Sequence, residues 1–199
     1  MARTRRAAIG FKAHTGWASA VVVAEATGGI EIVAKGRIAM VDGFEAAAVY
    51  HVGHERGLSA AEARPLIDAA LRQAVARAQT GIAALASAAQ RCAPNLAAIL
   101  AGGARPLPEL DVILRAHPLV HAAEGELYRE ALARACEAIE LRVVRVPAKD
   151  LARRASAAAR VGEAALLARL AEAGAASGKP WAAEQRECAL AAWTALIEG

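Results

Sequence analysis

The chain has 199 residues, of which 56% are hydrophobic, 22% are charged and only 4% are aromatic, and its formal net charge is +4. This length suffices for one sizeable core, so we expect a single domain over residues 1–199. No apolar run approaches the roughly 20 residues that span a bilayer, and polar residues interrupt the first apolar segment, so we expect neither a membrane protein nor a signal peptide. Three widely spaced cysteines predict reduced, buried thiols and a cytoplasmic location.

The chain opens with a predicted β-hairpin. Two apolar runs, Ala7–Phe11 and Trp17–Ala24, flank a short polar turn, Lys12–Gly16. After a glycine-containing turn, apolar and polar residues alternate over Ile30–Val41. This alternation predicts a third strand that buries one face and runs antiparallel to the second.

Residues 44–92 form an alanine-rich segment with helical periodicity. Ser59 is followed three residues later by Glu62, which is a capping-box pattern and predicts a helix start. Pro65 either falls in the first turns of this helix or divides two helices. The long helix could pack against a copy of itself in a homodimer.

The second half of the chain alternates strands and helices. Ala93–Ala101 is apolar throughout and predicts a strand buried on both faces, followed by a loop at Gly102–Pro108. The further predicted elements are a short helix or variable segment at Glu109–Arg115, a helix at Gly125–Ile139, a strand at Leu141–Val146, and helices at Lys149–Ala159, Gly162–Ala173 and Trp181–Ile197. The order predicts an α/β fold with a mixed sheet of about five strands, three antiparallel and then parallel β-α-β units, and helices on both faces.

Polar residues cluster at the predicted hairpin tip. Lys12, His14 and Thr15 could bind an anion or a phosphate, because lysine supplies charge while threonine and backbone N–H groups supply donors. A solvated turn would explain the same residues. An ion pair between Lys12 and Glu187 of the final helix is a third, purely structural interpretation.

A second polar group lies at His117–Glu124. On a helix, His121 and Glu124 would share a face, which suits a metal or acid–base chemistry. Pro118 predicts that His117 is extended and precedes the helix. The alternative is a loop and first turn whose acids complement the helix dipole. His51 and His54 have metal-like spacing but no visible third ligand, so we expect them to be surface histidines.

The element order and the opening residues resemble the ribonuclease H-like superfamily, in particular its RuvC-type resolvase branch. Gly10-Phe11-Lys12 is similar to the first-strand motif of that branch, and Thr15-Gly16-Trp17 is similar to the entry into the second strand. Glu187 begins a stretch that resembles the family's acidic, alanine- and leucine-rich final helix. The resemblance implies an aspartate where Lys12 stands, and carboxylates that hold two divalent cations. A lysine there would repel a cation.

These observations predict a ribonuclease H-like protein that lacks standard two-metal nuclease activity and binds nucleic acid or a nucleotide. Its expected ligand-binding residues are Lys12, His14, Thr15, His117 and His121. One alternative is an active, divergent nuclease that uses Mg²⁺ or Mn²⁺ with a histidine and three acids, Glu124, Glu184 and Glu187. A second alternative is a binder or enzyme for a small anionic ligand.

Overall fold

The computed structural model describes residues 5–89, 92–102 and 106–199. Within these ranges, five strands form one sheet with the order β3-β2-β1-β4-β5. The first three strands are antiparallel, β4 lies parallel to β1, and β5 lies parallel to β4. The strands are β1 (Ala7–His14), β2 (Trp17–Ala26), β3 (Gly29–Ala39), β4 (Leu96–Ala101) and β5 (Arg142–Pro147). The predicted α/β fold with its mixed sheet is therefore confirmed.

Helices connect the strands and cover both faces of the sheet. In the described part of the chain they are α1 (Phe44–Ala47), α2 (Val49–Glu55), α3 (Ala60–Ala88), α4 (Leu110–Leu114), α5 (His117–Glu137), α6 (Leu151–Ala159), α7 (Glu163–Ala176) and α8 (Ala183–Glu198). Among the described residues, no helix has the length and apolar character needed to cross a membrane.

The alternation of side chains along β1 separates two apolar layers. Ile9 and Phe11 pack with α3 and α5 on one face. Ala8 packs with α6, α7 and α8 on the other face. Gly10 also faces α8, because a Cβ on Gly10 would lie 1.8 Å from the Cys188 carbonyl oxygen. The absence of a side chain at Gly10 therefore allows α8 to approach the sheet closely, and Lys12, two residues further along, belongs to the same face.

The predicted capping box at the start of α3 is confirmed. The Ser59 hydroxyl accepts a hydrogen bond from the Glu62 backbone N–H, and the Glu62 carboxylate accepts one from the Ser59 backbone N–H. Pro65 lies inside a single 29-residue helix and does not divide it. The proline falls in the first turns, where its missing N–H removes little of the intrahelical hydrogen bonding.

The hairpin and the third strand differ from the prediction in their limits. β1 continues through His14, so the turn between β1 and β2 is only Thr15-Gly16, and Lys12 lies in a strand and not in the turn. Gly16 has φ +82°, which glycine adopts without strain. β3 ends at Ala39. Its pairing with β2 shifts register between Val22 and Val23 of β2, which pair with Ala34 and Ile32, and this shift interrupts the alternation predicted for β3.

α5 begins at His117, eight residues before the predicted Gly125. The remaining boundary differences are small, and two of the predicted segments extend past the described residues. The predicted strand at Ala93–Ala101 begins only at Leu96, and the final helix begins at Ala183. In the predicted loop at Gly102–Pro108, residues 103–105 lie outside the described ranges, as do residues 90 and 91 of the predicted helical segment 44–92.

Candidate functional site

Lys12 and Glu187 form an ion pair where the end of β1 meets the start of α8. The Lys12 Nζ lies 2.7 Å from Glu187 Oε2, and the two side chains are 33% and 43% exposed. The Lys12–Glu187 ion pair, which was one of three interpretations of Lys12 from the sequence, is therefore present. A partly exposed pair of this kind contributes about 0–1 kcal/mol to stability, so its position matters more than its strength.

Glu184, one turn before Glu187 on α8, contacts the same end of the sheet. Its Oε2 accepts a hydrogen bond of 2.9 Å from the Ser19 hydroxyl on β2. Its Oε1 lies 3.0 Å from His14 Nε2, although that nitrogen makes no hydrogen bond in the described structure. Burial lowers the pKa of His14 and outweighs the opposing effect of Glu184, so the ring is mostly neutral near pH 7 and the contact is not a full ion pair.

An aromatic and cationic surface continues from His14 across the hairpin. The His14 ring stacks on Trp17 with ring centroids 4.1 Å apart and an angle of 10° between the planes. The Arg37 guanidinium on β3 lies 3.9 Å from the centroid of the Trp17 ring. Trp17 and Arg37 were not selected as site residues from the sequence, since an alternating strand pattern explains both. Only the register of β2 against β3 brings them together.

A cleft of about 450 Å³ lies beside the ion pair, at the carboxyl ends of β1 and β4. It is lined by Lys12, Gly102 and Leu151, by Arg129 from α5, and by Glu187 from α8. The charged side chains of this lining are therefore two cations and one carboxylate. β1 and β4 carry no acidic residue.

Cys188, next to Glu187, contributes packing to this end of the sheet. Its thiol is fully buried and donates a 3.4 Å hydrogen bond to the Ser19 carbonyl. Burial raises the pKa of Cys188 to about 12, so the thiol stays protonated and is a poor nucleophile. All three cysteines are free and buried, as the sequence predicted.

A second group of polar side chains lies at the start of α5. His51, His117 and His121, which we call the histidine patch, each offer a ring nitrogen, and these nitrogens lie within 4.8 Å of one another. The sequence shows no third ligand for His51 and His54, whereas the structure brings His117 and His121 beside His51. The prediction that His117 precedes the helix is wrong, since α5 begins at His117 and the residue before it, Ala116, occupies the N-cap position.

Glu124 lies beneath the histidine patch and is only 1% exposed. Its Oε2 lies 3.0 Å from His51 Nδ1 and accepts hydrogen bonds from the backbone N–H groups of Tyr50 and His51. Burial raises the pKa of the Glu124 carboxyl, although the bonds from His51 act in the opposite direction. Partial loss of hydration, together with repulsion from His51 and His117, lowers the pKa of His121.

The structure divides the predicted site residues between two places. Lys12, His14, Glu184 and Glu187 lie together at the end of β1, with Thr15 in the adjacent turn. His117, His121 and Glu124 belong to α5, which packs on the opposite face of the sheet from α8. In the described residues, Glu124 and the two acids of α8 form no shared group of ligands.

Comparison with known proteins identifies the fold. No family model matches the chain, and a search of curated proteins found no match. The Thermus thermophilus RuvC structure matches with a TM-score of 0.53 and 12% sequence identity, covering 96% of this chain and 93% of that one. The structure of T. thermophilus RuvC in complex with Holliday junction substrate matches with a TM-score of 0.55 and 11% identity over the same shares. The chain therefore has the ribonuclease H-like fold of RuvC.

Proposed function

We propose that this protein binds nucleic acid in the cytoplasm through the end of β1 and does not cut it by a two-metal reaction. The observation that carries the proposal is the Lys12–Glu187 ion pair, with Nζ and Oε2 2.7 Å apart. By the family resemblance, Lys12 takes the position of the first-strand aspartate. Its ammonium group then neutralises the acid of α8 in the way that a metal ion would otherwise do.

The side chains at the end of β1 do not fit a pair of divalent cations. Mg²⁺ and Mn²⁺ prefer several oxygen ligands, above all carboxylates. Here Glu187 is paired with an ammonium group, and Glu184 is hydrogen-bonded to Ser19. No acid on β1 or β4 can complete a ligand set. We therefore derive no metal-dependent step from this site.

The same surface has groups that suit both the phosphates and the bases of a nucleic acid. Lys12 and Arg129 line the cleft of about 450 Å³. A phosphate that enters this cleft can replace Glu187 as the partner of the Lys12 ammonium group. Trp17 carries the stacked His14 ring and the Arg37 guanidinium, so a base can stack on Trp17 if it displaces one of these two groups. His14 and Thr15 extend this surface along the hairpin. Because RuvC was solved with a Holliday junction, branched DNA is the first ligand to test.

The test compares the binding of labelled four-way-junction, duplex and single-stranded DNA by fluorescence anisotropy over a range of salt concentrations. We expect binding that weakens with salt, since phosphate contacts release counterions. Lys12→Ala and Arg37→Ala should each weaken binding to all of the sequences tested and reduce the slope of log K against log[salt] by about 1. Arg134→Ala removes the same charge from α5 and should leave binding unchanged.

Each of the alternatives predicts a different result. A divergent nuclease that uses Glu184 and Glu187 would cut the junction in Mg²⁺ or Mn²⁺, and Glu187→Gln would abolish cutting. A binder of small anions would bind inorganic phosphate but show no salt-dependent binding of any DNA. Either outcome would overturn the proposal. The homodimer through α3 stays a prediction, which light scattering of the purified chain would check.

A further inference from the structure

Four of the five histidines of this chain lie around the start of α5. The rings of His117 and His121 have centroids 4.4 Å apart, and that of His51 lies 4.5 Å from His121 and 5.6 Å from His117. These three offer ring nitrogens within 4.8 Å of one another. His54 lies at the edge of the group, where its Nδ1 donates a 2.7 Å hydrogen bond to the Leu114 carbonyl.

Local structure explains why the three rings meet. His117 and His121 are four residues apart on α5, so they lie on one face of the helix, one turn apart. Pro118 belongs to the first turn, where it is compatible with a helix and allows His117 to be its first residue. α2 packs against this part of α5 and brings His51 to the same face.

Glu124 fixes the orientation of His51. It lies on the His117 and His121 face of α5, and its Oε2 lies 3.0 Å from His51 Nδ1. Because the same oxygen accepts the backbone N–H groups of Tyr50 and His51, we assign the ring proton to Nδ1. This bond leaves Nε2 of His51 as the nitrogen with a lone pair. A buried carboxylate that holds a histidine in one tautomer is the usual outer partner of a metal-binding histidine. The bonds from the backbone N–H groups of Tyr50 and His51 hold the carboxylate itself in place.

Three imidazoles and no thiolate favour a borderline divalent ion over Mg²⁺ or Ca²⁺. Zn–N bonds of about 2.0–2.1 Å place tetrahedral ligand atoms roughly 3.3 Å apart. The rings must therefore move slightly together, and His117 and His121 can do so because both are exposed. His51 is the less exposed ligand and the one that Glu124 holds.

We propose that His51, His117 and His121 bind one Zn²⁺ ion, with Glu124 as the positioning residue of His51. Three protein ligands leave one coordination position of the metal to water or to an added ligand, as in sites where the metal is not purely structural. The site shares no residue with the proposed nucleic-acid surface, although Arg129 of that surface also belongs to α5. Loss of one activity therefore does not imply loss of the other.

The experiment titrates the full chain, freed of metal by a chelator, with ZnCl₂ in an isothermal calorimeter. We expect one Zn²⁺ per chain. His121→Ala should abolish measurable Zn²⁺ binding at micromolar protein concentration. Because His121 is exposed, we expect this variant to fold normally, which far-UV circular dichroism would verify. His117→Ala should have the same effect. His14→Gln removes the one histidine outside this region and should keep the wild-type stoichiometry and affinity.

Glu124→Gln tests the positioning role. It should weaken Zn²⁺ binding about 10–100-fold and should shift the visible spectrum of the Co²⁺-substituted protein, a signature that a merely structural role for Glu124 would not change. An unchanged spectrum and affinity would show that Glu124 does not position His51. The site itself is overturned if the wild type binds no zinc at micromolar concentration, or if His121→Ala binds it as tightly as the wild type.

Discussion

At the scale of single residues, the environment of His14 determines its charge. The ring stacks on Trp17 and faces Glu184 and Glu187 of α8, Lys12 of its own strand and Arg37 of β3. Burial is the largest effect and lowers the pKa of His14, with help from the two cations and against the two acids. The folded protein therefore binds a proton at His14 less readily than the unfolded chain does.

This difference predicts a dependence of stability on pH. The pKa of His14 is lower in the folded protein than its value of about 6.5 in the unfolded chain. Its contribution to stability is therefore fully present above about pH 6.5 and is lost as the pH falls through the pKa of the folded state. Urea unfolding at pH 7.5 and pH 5.5 should show a smaller loss of stability for His14→Gln than for the wild type.

All other residues are the same in both proteins, so the comparison isolates His14. An equal loss for His14→Gln would mean that burial and the acids cancel, and a greater loss would mean that Glu184 outweighs burial and that the His14–Glu184 contact is a charged pair; either result would contradict the prediction.

The Lys12–Glu187 pair could be inferred at the level of residues, whereas the histidine patch could not. The order of elements places the final helix over the first strand, so two opposite charges at the facing ends of these elements have few other partners. His51 and Glu124 are 73 residues apart, and their contact depends on how the short helix α2 packs against α5. No local pattern carries that information, although two histidines four residues apart on α5 were a usable signal.

At the scale of elements, the packing of α8 on β1 depends on Gly10. A Cβ at this position would lie 1.8 Å from the backbone oxygen of Cys188 and 3.2 Å from the Cβ of Ala192. A backbone carbonyl in the middle of a helix cannot rotate away as a side chain can. Gly10→Ala must therefore displace α8 and the acids that it carries.

We expect Gly10→Ala to lower the free energy of unfolding by about 3 kcal/mol or more, as in severe overpacking. Gly36→Ala is the matched control in β3 of the same sheet, because a Cβ there would lie 3.6 Å from Leu85 Cδ1, an ordinary contact. That change should be neutral or slightly stabilising, since it reduces the freedom of the unfolded chain. Chemical unfolding of both variants measures the difference, and equal stabilities would show that α8 is not held so close to β1.

The presence of each helix and strand could be predicted from the sequence more accurately than its first and last residues. The capping box of Ser59 and Glu62 set the start of α3 correctly, because both halves of that interaction are local. The polar residues Lys12 and His14 were predicted to begin a turn, yet β1 continues through them. Pairing with β2 and the contacts of α8 outweigh the local polarity that indicated a turn.

At the scale of the whole molecule, the sheet separates two sites of different chemistry. The end of β1 presents lysine and arginine with an aromatic ring, next to acids that are already paired. The opposite face presents three histidines, one of which, His51, contacts a buried carboxylate. The chain has the fold of RuvC, and we propose that Lys12 and the residues around it form a surface that binds nucleic acid without cutting it.

One measurement tests this claim most directly. End-labelled four-way-junction DNA is incubated with the wild-type protein in EDTA, in Mg²⁺ and in Mn²⁺, and each sample is divided between a native gel and a denaturing gel. We predict a retarded complex under all three conditions at equal ionic strength, with every strand intact. Strand cleavage that requires Mg²⁺ or Mn²⁺, or the absence of a complex in all three, would contradict the claim.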